Sequence, residues 1–123
     1  MATINKNLYG CWKMIAMRYR DIEGNWENEL VFGGTSVFTE TGVISTFTRT
    51  SELAFGYSGK FSLKGDDLVI VPEVCSIATL EGAPITRTVK KLTPETLLLG
   101  MIDDATGRNY EIELKLLTRS FAL

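Results

Sequence analysis

Histidine is missing from all 123 positions of this chain. Its absence excludes Ser-His and Cys-His catalytic triads, His-ligated zinc and a haem held by a proximal histidine. Any chemistry must rest on Arg, Lys, Tyr, Asp, Glu or Cys, or on confinement alone, and no metal or cofactor is expected. Cysteine is scarce, with only Cys11 and Cys75 present. In a reducing compartment both read as small strand residues, because a thiol needs a nearby base to become the reactive thiolate. No apolar run approaches the ~18 residues that suggest a membrane span. Met1-Ala2-Thr3-Ile4-Asn5-Lys6 lacks the apolar core of a secretion signal. The expectation is a cytoplasmic protein without a membrane partner. Excess basic charge is also lacking. Thirteen Lys and Arg against 15 Asp and Glu leave a net charge of -2, which argues against a nucleic-acid partner. The length suits one domain over residues 1–123, with a single core.

What the chain does have is period two. In residues 10–20, Trp12, Met14 and Ala16 alternate with Lys13, Ile15, Met17 and Tyr19, and Arg18 and Arg20 continue the Trp12 phase. Asp21-Ile22-Glu23-Gly24-Asn25 is a turn. Further strands are expected over residues 26–32, 35–40, 43–50, 53–63, 68–77, 85–92 and 96–102, separated by turns rich in Gly, Asp and Pro. Gly56 and Gly59 suggest a bend, and Pro72, which cannot donate a ladder bond, suggests a bulge or an edge. Asp103-Asp104 with Gly107 reads as a turn, since adjacent acids lack the alternating ligands of a calcium loop. The last strand is the clearest: Tyr110, Ile112, Leu114 and Leu116 face one way, and Asn109, Glu111, Glu113 and Lys115 the other. About nine short strands joined by short turns predict an all-β fold. The expected architecture is an antiparallel up-and-down β-barrel of about 8–10 strands, entered through a short N-terminal helical turn. A barrel of about 8 strands has room inside for side chains or one small ligand.

Several side chains are candidates for work inside such a barrel. With Trp12 at the floor, Arg18 lies ~20 Å up the strand at ~3.3 Å per residue, near the mouth. There it either grips a carboxylate or enolate or makes a salt bridge to a rim acid. Tyr57 and Tyr110 lie on inner faces, where a phenol bonds either to backbone or to a bound molecule. Trp26, Phe47, Phe55 and Phe61 form either an aromatic wall for a flat ligand or plain core. Glu73, in the apolar run of residues 68–75, is a general base if it points inward and a solvated carboxylate if it points outward.

Gly10-Cys11-Trp12 reads as the G-x-W of the lipocalin superfamily, with Arg119 placed to cross the tryptophan. Leu8 to Met14, Asp21 to Gly24, Thr41 to Ser45 with Arg49 after it, and Tyr57 to Asp66 together resemble the small microbial lipocalin-like domain proteins, part of the calycin group. The resemblance spans most of the chain and implies an antiparallel barrel with a ligand-sized interior. It marks Arg49 as an arginine that recurs in such proteins, with either a structural or a ligand role. Where members often carry a histidine, this chain has Ile70 and Val71, so no histidine-dependent activity carries over. Fatty-acid-binding proteins share a G-x-W-K opening, and Arg108-Asn109-Tyr110 mimics their R-x-Y. They also insert two helices after the first strand, where this chain offers only residues 21–25.

Three functions are compatible with this reading. In the first, the barrel binds a small, mostly apolar molecule with an acidic or carbonyl group, held by Arg18, Trp26, Phe47, Phe55, Phe61 and Tyr110. In the second, it is a cofactor-free cyclase or isomerase of natural-product biosynthesis, acting on a polyketide-like molecule through Tyr57, Arg49 and Glu73. In the third, it is a solid barrel whose outer face makes a homodimer.

Overall fold

Runs of alternating apolar and polar residues, broken by turns, fold into nine antiparallel strands in the computed structural model. The structure describes residues 6–21, 23–28, 33–48, 54–102 and 107–119, with only the backbone described for residues 44–48, 54 and 55. A 3-10 turn, Lys6–Leu8, leads into β1 (Gly10–Arg20), and a second, Ala78–Leu80, follows the sixth strand. The other strands are β2 (Trp26–Asn28), β3 (Gly33–Thr39), β4 (Gly42–Thr48), β5 (Ala54–Lys64), β6 (Asp67–Cys75), β7 (Ile85–Leu92), β8 (Thr96–Ile102) and β9 (Asn109–Thr118). The strand expected over residues 26–32 is described only as far as Asn28.

Eight strands form the ring. β1 pairs with β3 through Gly10–Lys13 and with β9 along most of its length, closing the order β1-β3-β4-β5-β6-β7-β8-β9. β2 is the extra strand, paired to Arg18–Arg20 of β1 where β3 no longer accompanies it. Closure leaves few exposed strand edges, which is why a chain of short hairpins is stable in this form. The link from β1 to β2 is a tight turn. Asp21 Oδ1 accepts from the backbone N–H groups of Glu23 and Asn25 at 2.9 and 2.8 Å. Among the described residues no helix pair follows the first strand, unlike in fatty-acid-binding proteins.

One end of the barrel is sealed. Trp12 has no solvent exposure, and its Nε1 donates to the Leu8 carbonyl at 2.9 Å, so the 3-10 turn caps the floor. The Arg119 guanidinium carbon lies 5.8 Å from the indole centroid, and Nη2 donates to the Asn7 carbonyl at 2.8 Å. Gly10 makes this crossing possible. A Cβ there would lie 2.7 Å from Leu116 Cδ1 and 3.2 Å from the Thr118 carbonyl oxygen, so any larger residue would push β9 away from the floor. Leu8, Phe38, Val43, Leu63, Leu68, Leu97 and Leu114 share one buried cluster with Trp12. Phe61 packs edge-on against Phe38, with centroids 5.1 Å apart.

Two of the bulges decide where expected site residues point. In β1, Met14 pairs with Leu114 but Ala16 pairs with Glu113, so Ile15 is an extra residue. Ile15 turns outward, 52% exposed, and the phase reverses beyond it. Met17 and Tyr19 then join the core, while Arg18 and Arg20 lie on the outer face. The expected Trp12–Arg18 phase is therefore corrected. Without the bulge, two guanidinium groups would enter the barrel and Met17 and Tyr19 would face water. Desolvating each charge costs several kcal/mol, whereas burying Met or Tyr is favourable. In β6, Ser58 pairs with Val74 and Gly59 with Pro72, which leaves Glu73 unmatched. The expected irregularity at Pro72 is thus a bulge. Because β7 accompanies β6 only through Asp67–Ile70, Pro72 also lies beyond the last β7 pair.

Candidate functional site

Above the floor, the inward residues are less tightly covered. Tyr19, Tyr57, Phe61, Ile85, Arg87 and Met101 are half-buried, although the strand phase turns each of them inside. Met17 and Tyr110 are more deeply set beside them. The interior is therefore a cup: packed at the Trp12 end and accessible at the end where Tyr19, Met101 and Tyr110 meet. This accessible half is the candidate ligand site.

The rim is aromatic and polar. The rings of Tyr19 and Tyr110 sit 5.9 Å apart, and the Arg108 guanidinium lies 4.8 Å from the Tyr19 centroid. The Tyr19 hydroxyl donates to Glu27 Oε2 at 3.1 Å, which places a carboxylate of β2 at the mouth. On the opposite wall Tyr57 packs against the core, its backbone paired with Cys75.

Arg87 is the residue that sequence reading missed. It pairs with Leu68, which is fully buried, and shares its face with Ile85 and Val89. Burial holds its guanidinium below the usual arginine range, with the nearby Tyr57 phenol acting in the opposite sense. Its Nη1 donates to the Thr86 carbonyl at 3.2 Å. Among the described residues no carboxylate forms an ion pair with it. The signal was present in the sequence, as an arginine standing in the apolar phase between Ile85 and Val89.

The expected site residues divide as follows. Tyr57, Phe61 and Tyr110 face the interior. Phe47 and Phe55 are directly paired between β4 and β5, and their side chains lie outside the described structure, as does all of Arg49. Arg18, Trp26 and Glu73 are corrected. Arg18 is on the outside, where Nε meets Glu111 Oε1 at 3.1 Å and Nη2 meets Glu113 Oε1 at 3.2 Å. Trp26 shares that outer face. The Arg20 guanidinium lies 4.8 Å and Lys90 Nζ 5.5 Å from its ring centroid, so it forms no part of an inner aromatic wall. Glu73 is exposed, because Leu68, Ile70 and Pro72 hold the inward phase before the bulge.

The outer network is electrostatically coherent. Lys90 Nζ reaches Glu111 Oε2 at 2.9 Å, so Glu111 is held by two cations. Partial burial works against the Arg18 charge, but hydrogen bonds to Glu111 and Glu113 and their charges outweigh it and lift the guanidinium above its usual range. Burial likewise opposes ionisation of Glu111, and Lys90 and Arg18 overcome it, holding the carboxyl below the usual carboxylate range. This cluster ties β1, β7 and β9 together outside the lumen and takes no part in the cup.

Comparison with solved structures places the architecture. A lipocalin-like protein from Bacteroides uniformis superposes with a TM-score of 0.54 at 18% identity, over 86% of this chain and 96% of that one. The fold is lipocalin-like. An uncharacterized protein from Bacteroides eggerthii gives a TM-score of 0.53 at 16% identity, covering 85% and 97% of the two chains. A de novo designed fluorescence-activating β-barrel gives 0.51 at 18% identity, covering 94% and 99%. No family model and no curated protein matches the sequence. Among the described residues of this lipocalin-like barrel, no helix is long and apolar enough to cross a membrane.

Proposed function

We propose that this lipocalin-like barrel binds a small, mostly apolar molecule with an acidic or carbonyl group in the mouth half of its interior. One observation carries the reading: the half-buried inward residues Tyr19, Tyr57, Phe61, Ile85, Arg87 and Met101 lie above the floor, while Trp12, Leu8, Phe38, Leu68, Leu97 and Leu114 have almost no exposed surface. A cup of this kind, walled by Met, Ile and Tyr with a few polar groups, is what a small-ligand site requires. Tyr57 and Tyr110 offer phenol donors to a carbonyl or carboxylate oxygen. A barrel of similar fold is described as fluorescence-activating, which is compatible with an occupant inside such a wall.

The test uses a neutral apolar fluorophore, N-phenyl-1-naphthylamine, and competition by octanal. The fluorophore should brighten with wild-type protein and be displaced by octanal. Ile85→Trp, which fills the cup from one wall, should abolish the signal while the fold persists by circular dichroism. Unchanged binding in that variant places the fluorophore elsewhere and defeats the reading. The cyclase or isomerase alternative is not favoured, because Glu73, its intended proton carrier, is in solvent.

A further inference from the structure

We propose that Arg87 is an anion receptor at the base of the cup and that the ligand is a monocarboxylate held head-down, its carboxylate on the guanidinium beside Tyr57 and its apolar tail toward the mouth. This rests on the reading of the mouth half as a ligand site, and names the ligand's charge, its orientation and the residue that selects it.

Three observations support it. Arg87 lies in the inward phase opposite Leu68, immediately above the packed floor. Its Nη1 donates to the carbonyl of its own neighbour Thr86, and among the described residues it has no ionic partner. By contrast Arg18 and Lys90, the cations of the described ion pairs, sit on the outer surface with their carboxylates in place. A guanidinium keeps its charge at neutral pH, and leaving that charge inside a barrel without an anion is costly. It offers parallel N–H donors matched to a carboxylate, and one positive charge balances one negative charge.

The orientation follows from the packing. Beside Arg87 is Leu68, and below it Val89, Leu97, Leu114 and Trp12; all are buried, so a tail cannot point down. Above it, Ile85, Met101, Tyr19 and Tyr110 form an apolar and aromatic sleeve leading to the mouth. The charged end therefore enters first, and the tail leaves its far end near solvent.

The experiment compares octanoate, octanol and octanedioate by calorimetry with wild type, Arg87→Met and Arg87→Lys. Wild type should prefer octanoate over octanol by about tenfold or more, in keeping with a charge-assisted pair. Arg87→Met should lose that preference while octanol affinity is kept, and Arg87→Lys should retain part of it. Octanedioate should bind wild type within about tenfold of octanoate, because its second carboxylate reaches water at the mouth. Without ligand, Arg87→Met should melt at or above the wild-type temperature, since it removes a half-buried charge that has no ionic partner, and octanoate should raise the melting temperature of wild type more than that of Arg87→Met. Equal binding of octanoate and octanol by wild type, or octanoate binding unchanged in Arg87→Met, overturns the assignment of Arg87 while the fluorophore result stands on its own. Exclusion of octanedioate overturns the head-down orientation. A fluorophore signal that survives Ile85→Trp overturns the underlying site instead.

Discussion

Arg18 and Glu111 face each other across β1 and β9 on the outside of the barrel, Nε to Oε1 at 3.1 Å, because a single extra residue, Ile15, reverses the strand beneath them. The bulge separates the two charge environments of the molecule. It sends Arg18 and Arg20 to an outer network and leaves Met17 and Tyr19 to line the cup.

The bulge itself can be tested by contrasting two changes at one position. Ile15→Ala removes an exposed side chain and should alter stability by no more than about 0.5 kcal/mol. Deleting Ile15 should instead restore simple alternation, drive Arg18 inward and expose Met17 and Tyr19. Loss of cooperative unfolding is then expected, since moving even one charge inside costs several kcal/mol. Thermal melts of both variants decide the matter. A deletion variant as stable as wild type would contradict the phase reversal.

Glu111 should make stability depend on acid. Its folded carboxyl titrates below the usual range, so it binds its proton less readily folded than unfolded. That stabilisation is complete above the unfolded carboxylate range, near pH ~4.3, and is lost as pH falls through the lower folded value. Glu111→Gln should cost about 1–2 kcal/mol at pH 7, with the difference from wild type shrinking in strong acid. Urea titrations across pH measure it.

Gly59 should tolerate no side chain. A Cβ there would collide with the Val71 carbonyl oxygen and lie 2.9 Å from Pro72 Cα, both of them backbone atoms that cannot swing aside. Gly59→Ala should destabilise the barrel by about 2–3 kcal/mol through displacement of β6 at its bulge. A shift in the denaturant midpoint with an unchanged slope would show it.

Glu73 and Tyr57 should part company in ligand binding. Glu73→Gln, in solvent, should leave both melting temperature and octanal affinity unchanged within error. Tyr57→Phe should weaken octanal by roughly threefold to tenfold, the worth of one neutral hydrogen bond. Competition titration against N-phenyl-1-naphthylamine compares them, and equal effects at the two positions would remove Tyr57 from the site.

Much was legible from the residues alone. The bounds of β7 and β8, the two faces of β9 and the tryptophan floor follow from local pattern, period two and turn residues, whereas Arg119 across the tryptophan is what the lipocalin resemblance implies. Tyr57, Phe61 and Tyr110 were placed inside because no bulge intervenes to change their phase as read. Arg18, Trp26 and Glu73 were not legible in the same way. The orientation of Arg18 depends on a bulge that alternation along one strand does not announce, and Trp26 follows β1 onto the outer face through its pairing with Arg20.

The sequence by itself determined an antiparallel barrel of short hairpins with Trp12 at one end, since strand period, turn chemistry and the burial of that indole are local demands. Only the tertiary structure decided which arginine looks inward. Inside and outside are defined by ring closure, and the parity of a strand beyond a bulge is set by what its neighbours across the sheet must bury. Arg18 lost that competition to Met17 and found Glu111 outside, whereas Arg87, on a stretch without a bulge before Val89, kept its inward phase.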